Sequence, residues 1–270
     1  MMLSSDDQAL LRRRFNPDGS VLRRQQLRML ELLVAVDDIC RRHDIRYWLS
    51  SGTLIGAVRH DGFIPCDDDL DIEMLRDDYL RLLDVLPREL PDTMALQTEQ
   101  TDPNYFLPYA KVRDRRSLMS EPNNYDRAWK EQGIFIDILP MERQRMCLHL
   151  LSEKTFGHLY KIWRTSTDDA SAIRRVRRIF RLNTKVIFPM LRLLNRLSGA
   201  HIITSGLGLP YHKPRYEADI FPLSSHVFEG RQFPVPRDTD HHLRCLFGDY
   251  TQLPDLDRLA PHTAHIEIWQ

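Results

Sequence analysis

The sequence predicts a mixed α+β fold, a sheet of short strands surrounded by helices. Three observations carry this expectation. Strand-like and helix-like periods alternate through the first 140 or so residues, residues 142–198 are almost continuously helical in pattern, and the chain after Gly206 is rich in proline, aromatics and turns. A chain of 270 residues that is 42% hydrophobic and 28% charged can fill a core, which excludes wholesale disorder. Its length suits one large domain, or one domain with an appended subdomain. The expected division is a catalytic core over 20–141, then a helical region and small C-terminal subdomain over 142–270.

The elements follow in order. Ser20 can cap a helix running to Arg42, since Leu22, Met29, Leu33, Val36 and Cys40 share one helical face. Ile45–Leu49 reads as a strand, Ser51–Gly52 breaks it, and Thr53–His60 reads as a short helix. Asp69–Met74 is a second strand, and Asp77–Leu86 a helix stopped near Pro87. Tyr109–Arg113 is strand-like. Gly133–Leu139 is the clearest strand, β-branched, short and ended by Pro140. Phe228–Val235 suggests a hairpin, and Asp240–Phe247 a short helix.

Bulk charge and cysteine spacing exclude several classes. Lysine plus arginine equals aspartate plus glutamate at 38 each, so the whole body is not an electrostatic clamp, and no nucleic-acid partner is expected. Cysteines 40, 66, 147 and 245 form no CxxC pair, which removes zinc ribbons and leaves free thiols as the expectation. The N-terminus has no signal-peptide core. The longest apolar stretch, Val186–Leu194, is interrupted by Pro189 and Arg192, well short of the roughly 20 residues that span a bilayer. A soluble, cytoplasmic protein is expected.

The zero net charge conceals two opposed segments. Residues 61–78 hold eight acidic residues against Arg76, and residues 172–200 hold eight basic residues and no acid. In the acidic segment, strand alternation places Asp67, Asp69, Asp71 and Glu73 on one face and Leu70 and Ile72 on the other. Neighbouring carboxylates repel unless solvated, protonated or neutralised. A hard divalent cation such as Mg²⁺ or Mn²⁺ fits oxygen ligands of this kind; the alternative is a solvated acidic loop. The spacing is not that of an EF-hand. Asp137, between Ile136 and Ile138, is costly to bury unless it is metal-bound, paired or hydrogen-bonded. Asp69, Asp71 and Asp137 together would make a three-carboxylate metal cluster of the two-metal, phosphoryl-transfer kind. Ser51–Gly52–Thr53 follows a strand and opens a helix, a turn that can cradle phosphate or serve only as a connection.

The run GTLIGAVRHDGFIPCDDDLDI resembles the signature of the LicD family, whose bacterial members transfer phosphorylcholine to surface glycans. YAKVRD, GIFIDILPM and FEGRQFPVPRDTDHHLRCLFGDYTQLP are similar as well, so the resemblance extends over about 25–262 with a divergent middle. It implies a nucleotidyltransferase-like sheet. It also implies transfer of a substituted phosphate, phosphocholine from CDP-choline first and ribitol or ethanolamine donors next, to a glycan hydroxyl. Asp69 and Asp71 match the family's metal pair, Asp137 its third carboxylate, and Gly52 and Thr53 its phosphate turn, beside Ser51. Two positions depart. Cys66 stands where many members have tryptophan, and LPDLDR where LPP is common.

Phosphoryl transfer needs further cations. Arg59 and Lys111 are the candidates for substrate phosphate, with Arg113 on the same strand face as Lys111; surface ion pairing is the alternative. His60 is a proton shuttle or a structural histidine. Asp249, Tyr250, Arg258 and His262 line the acceptor side or pack the subdomain. Tyr47, Trp48, Tyr105, Tyr109, Tyr125 and Trp129 are candidates to cage a quaternary ammonium. Residues 172–200, basic and amphipathic, either contact an anionic membrane, which suits a lipid-linked glycan acceptor, or form a solvated face over the core. Two rival activities stay open: transfer of a whole nucleotide, and a non-catalytic metal- or glycan-binding module.

Overall fold

A computed structural model describes residues 5–120, 126–166, 168–252 and 265–269. Helix α2 (Val21–Arg42) starts where the capping signal places it, with Ser20 Oγ accepting the Arg23 N–H at 3.2 Å. Met29, Leu33, Val36 and Cys40 are buried against the sheet. A helix that the sequence did not suggest, α1 (Ser5–Phe15), precedes it and buries Leu11.

The first strand is shorter than expected, β1 being Trp48–Leu49. It leads into α3 (Ser51–His60), β2 (Asp71–Leu75) and α4 (Arg76–Glu89). Helix α4 continues through Pro87 for a last turn rather than stopping before it. Strands β3 (Met94–Gln97), β4 (Ala110–Asp114), β5 (Ser117–Ser120) and β6 (Phe135–Arg143) follow. Then come α5 (Met146–Thr165), α6 (Asp169–Leu182) and α7 (Phe188–Leu197). A π-helical turn, Asn183–Ile187, joins α6 to α7. Pro189 lacks the N–H for the carbonyl four residues back and crowds it; the widened turn accommodates this, so the helix passes on rather than breaking. The remainder is β7 (Ile203–Ser205), α8 (Glu217–Ile220), β8 (Ser224–Phe228), β9 (Arg231–Val235), α9 (Thr239–Phe247) and β10 (His265–Ile268). The β8–β9 hairpin turns on Glu229 and Gly230, both at positive φ, and is longer than Phe228–Val235.

The central sheet runs β1-β2-β6-β4-β3, and helices flank it, so the fold is mixed α/β. Strands β2 and β6 are parallel; β1–β2, β6–β4 and β4–β3 are antiparallel. Strand β6 does not end at Pro140. It pairs with β4 up to Ile138 and with β7 from Met141. Pro140 falls at the change of neighbour, where a missing N–H costs no ladder bond, and its carbonyl still accepts the Gly206 N–H at 2.8 Å. Alternation along β2 and β6 turns Ile72, Ile136 and Ile138 into the main core. The residues between them face a cavity.

Candidate active site

Strand register brings the acids together. Asp71 on β2 is the direct partner of Asp137 on β6, and Lys111 on β4 is Asp137's partner on the other side. Lys111 Nζ lies 2.7 Å from Asp137 Oδ1, with only 2% of its side chain exposed, and sits 3.3 Å from the centre of the Phe135 ring. The acidic loop is pinned from behind by α2, whose Gln25 and Gln26 donate to the carbonyls of Asp68 and Asp67 at 2.7 and 2.9 Å. Asp67, Asp69, Asp71 and Asp137 all line one cavity of about 580 Å³.

Crowding shows in the titration. Burial, then the charges of Asp69 and Asp137, push Asp71 well above the usual carboxylate range, and Lys111 offsets this only in part. Burial and a hydrogen-bonded Asp69 do the same to Asp67. This all-oxygen donor set, short of cations, fits a hard divalent ion. A second group of metal-capable side chains lies elsewhere. One ligand atom each from Asp219, His241 and Cys245 falls within 4.8 Å of the others, so the chain offers an Asp/His/Cys cluster as well.

The glycine turn contributes at close quarters. Ser51 takes the left-handed backbone, at φ 50°, while Gly52 provides space. A Cβ on Gly52 would stand 2.5 Å from Asp67 Oδ2. Ser51 and Gly52 line the cavity, and Thr53 Oγ1 instead accepts the Asp71 N–H at 2.9 Å, fixing the start of β2.

Two expected cations face elsewhere. Arg59 does not line the cavity. Its guanidinium donates to His60 Nε2, at 2.9 Å, and to the carbonyls of Tyr250 and Gln252. Its position near the C-terminal end of α3 points it away from the turn that opens the helix. His60 in turn meets Gln8 at 2.6 Å through Nδ1, so it is a structural histidine of the α1–α3 contact. Arg113 shares the strand face of Lys111, yet it is buried on Gln97 and on the Gly133 carbonyl at 2.7 and 2.8 Å. Among the described candidates for the aromatic cage, Tyr109 lines the cavity. Tyr47 donates to Asp37, Trp48 donates to Glu73, and Tyr105 and Trp129 pack in a separate aromatic core. Asp249 holds Thr251, and Tyr250 donates to Asp240. Tyr125, Arg258 and His262 lie outside the described residues.

Several wall residues were not candidates in the sequence. Ser205, Tyr211, Lys213, Arg215 and Phe247 come from the segment after β6, and Glu73 from β2. Tyr211 is pushed above the ordinary phenol range by burial of its hydroxyl and by Asp71, Asp137 and Asp69, which sets that group near the acids. Alternation already put Glu73 on the face of Asp71, and Phe247 falls in the family-like tail; nothing local marks the others.

Comparisons with known proteins identify the family. Residues 44–194 match the family described as LicD/FKTN/FKRP, nucleotidyltransferase domain. The lipopolysaccharide cholinephosphotransferase LicD of Haemophilus influenzae is 31% identical over 266 residues, covering 91% of this chain and 96% of that protein. Protein RP689 of Rickettsia prowazekii is 42% identical over 65 residues, 24% of each chain. RT0683 of Rickettsia typhi is 40% identical over 65 residues, 24% of this chain and 21% of its own. The matched span includes β2, β4 and β6 with every acid of the cavity, and the chain belongs to the LicD/FKTN/FKRP nucleotidyltransferase family, a LicD-like enzyme of nucleotidyl and phosphoryl transfer.

Proposed function

We propose that this enzyme moves phosphocholine from CDP-choline to a hydroxyl of a surface glycan of the lipopolysaccharide type. The observation that carries the reading is the convergence of Asp67, Asp69, Asp71 and Asp137 on one cavity, with the buried Lys111 paired to Asp137. Likeness to a cholinephosphotransferase over nearly its full length supports choline as the group carried. Tyr109, Tyr211 and Phe247 on the wall supply rings that favour a quaternary ammonium.

In this reading Asp69, Asp71 and Asp137 hold Mg²⁺ or Mn²⁺, one or two ions. Bound metal would neutralise the charge of the donor diphosphate. Ser51 and Gly52 bring backbone close to those phosphates, Thr53 fixes Asp71, and Lys111 adds a buried positive charge. The acceptor oxygen attacks the phosphorus that carries choline, the bond to the CMP oxygen breaks, and Asp137 takes the hydroxyl proton. Arg59 supports the site indirectly, through α3. The core of this chemistry would be 20–141, and 142–270 would close the cavity through residues such as Tyr211 and Arg215. No helix among the described residues is long and apolar enough to cross a membrane. We place the enzyme in the cytoplasm, at the inner membrane face, where a lipid-linked glycan is within reach of residues 172–200.

The test is incubation with CDP-linked choline, ribitol or ethanolamine, an acceptor glycan and Mg²⁺. Free CMP and a choline phosphate on the glycan are expected, abolished by chelation and by Asp71→Asn in a folded protein. A nucleotide on the acceptor would assign whole-nucleotide transfer instead, and absence of any metal-dependent release would assign a binding module.

A further inference from the structure

Helix α7 has two apolar faces, and one of them meets solvent. At about 100° per residue, Phe188, Leu191 and Asn195 cluster on the buried side. Met190, Leu193, Leu194 and Leu197 cluster on the opposite side. They are 61%, 57%, 48% and 75% exposed, and Leu182 and Val186 continue the stripe upstream at 52% and 48%. A contiguous exposed leucine face is uncommon on a soluble protein and marks an interaction surface.

The exposed charge on the neighbouring α6 and π turn is mainly positive. On α6, Arg174, Arg175, Arg178 and Arg181 are exposed, as is Lys185 in the π turn. Between the two apolar faces of α7, Arg192 and Arg196 line a second cavity of about 650 Å³. Six arginines and three acids border it, and Arg192, Arg76, Arg46 and Arg81 pair with Glu142 or Asp78. Leu75 and Met141, also on its border, stand two residues beyond Glu73 and Leu139 of the acidic cavity on the same strands. At about 3.3 Å per residue, Leu75 is roughly 13 Å along β2 from Asp71.

We infer that the α6–α7 face docks on an anionic membrane, the leucine stripe of α7 entering the headgroup layer and the exposed arginines of α6 meeting lipid phosphates. Apolar insertion with a basic flank is the chemistry of interfacial helices, and it matches anionic lipid rather than a second copy of this equally basic face. The inference does not need the transfer reaction, but it would hold a lipid-carried acceptor near the acidic cavity.

Co-sedimentation with phosphatidylcholine vesicles, with and without phosphatidylglycerol, tests it. Binding is expected only to the anionic vesicles and should fall as salt is raised. Leu193→Asp with Leu197→Asp, and separately Arg178→Glu with Arg181→Glu, should each weaken it about tenfold or more. Their circular dichroism and their CMP release on a soluble acceptor should be unchanged. As a check independent of those variants, Leu193→Trp should show a blue-shifted emission on anionic vesicles. No vesicle binding by the unaltered protein would overturn the inference. So would binding that both pairs leave intact, or a dimer that the leucine pair dissolves without any effect on vesicles.

Discussion

Glu73 and Arg215 meet at 2.5 Å on the wall of the acidic cavity, with 1% and 6% of their side chains exposed. They are 142 residues apart in sequence. Burial alone would raise Glu73; the Arg215 guanidinium, with His242 and a Ser50 hydrogen bond, more than cancels this and holds it below the usual carboxylate range. Trp48 Nε1 also donates to Glu73, at 3.1 Å. Arg215→Met should therefore leave a buried charge unpaired and cost about 3–5 kcal/mol in urea unfolding. The double variant with Glu73→Leu should recover much of that loss.

Lys111→Met removes the cation between Asp137 and the Phe135 ring. Turnover should fall by about two to three orders of magnitude, as for loss of a preorganised electrostatic group. Steady-state kinetics of CMP release, with far-ultraviolet circular dichroism as the folding control, would measure it.

Two glycines should separate stability from activity. An alanine Cβ at Gly133 would lie 1.7 Å from the Asp114 carbonyl, a backbone atom that cannot turn aside. Gly133→Ala should lose about 3 kcal/mol or more, read as a lower thermal midpoint. At Gly52 the obstacle is the Asp67 carboxylate, at 2.5 Å. Gly52→Ala should fold with a smaller loss, while displacing an acid of the cavity and reducing turnover more than stability.

Acid should loosen the α1–α3 contact. Burial, then the charges of Arg59 and Arg12, hold His60 at about 4, against 6.5 ordinarily. The unfolded chain takes up the proton first. The stability from a neutral His60 is thus complete above pH 6.5 and is lost as the pH falls toward 4. His60→Gln should flatten this part of the profile of thermal midpoint against pH.

The clustering of the acids was legible because strand alternation and the position of Asp137 between isoleucines are local facts. Their meeting then followed from one parallel register, Asp71 opposite Asp137. Arg59 was misleading for a physical reason: motif density cannot say which end of a short helix a side chain leaves from. Arg113 shares its strand face with Lys111, but Gln97 on the adjacent β3 and the Gly133 carbonyl capture it. Strand β6 ran past Pro140 because a neighbouring strand changes there, a tertiary fact. The wall residues Ser205, Tyr211 and Arg215 arrive through β7 and the loop after it, and no period in the sequence points to them. The amphipathicity of 172–200 was visible but the exposed stripe on α7 was not, because which face meets solvent depends on the π turn and the packing of Phe188.

The bonds around Arg59 and His60 have a mechanical meaning. Helix α3 presents the Ser51–Gly52 turn to the cavity at one end, and at the other it is gripped by Gln8 from one side and by the carbonyls of Tyr250 and Gln252 from the other. Stretches from near opposite ends of the sequence thus act as a vice on the lever that carries the phosphate turn. Slack at either jaw would be felt at the far tip, so the alignment of the turn is set remotely, by residues that never meet a substrate.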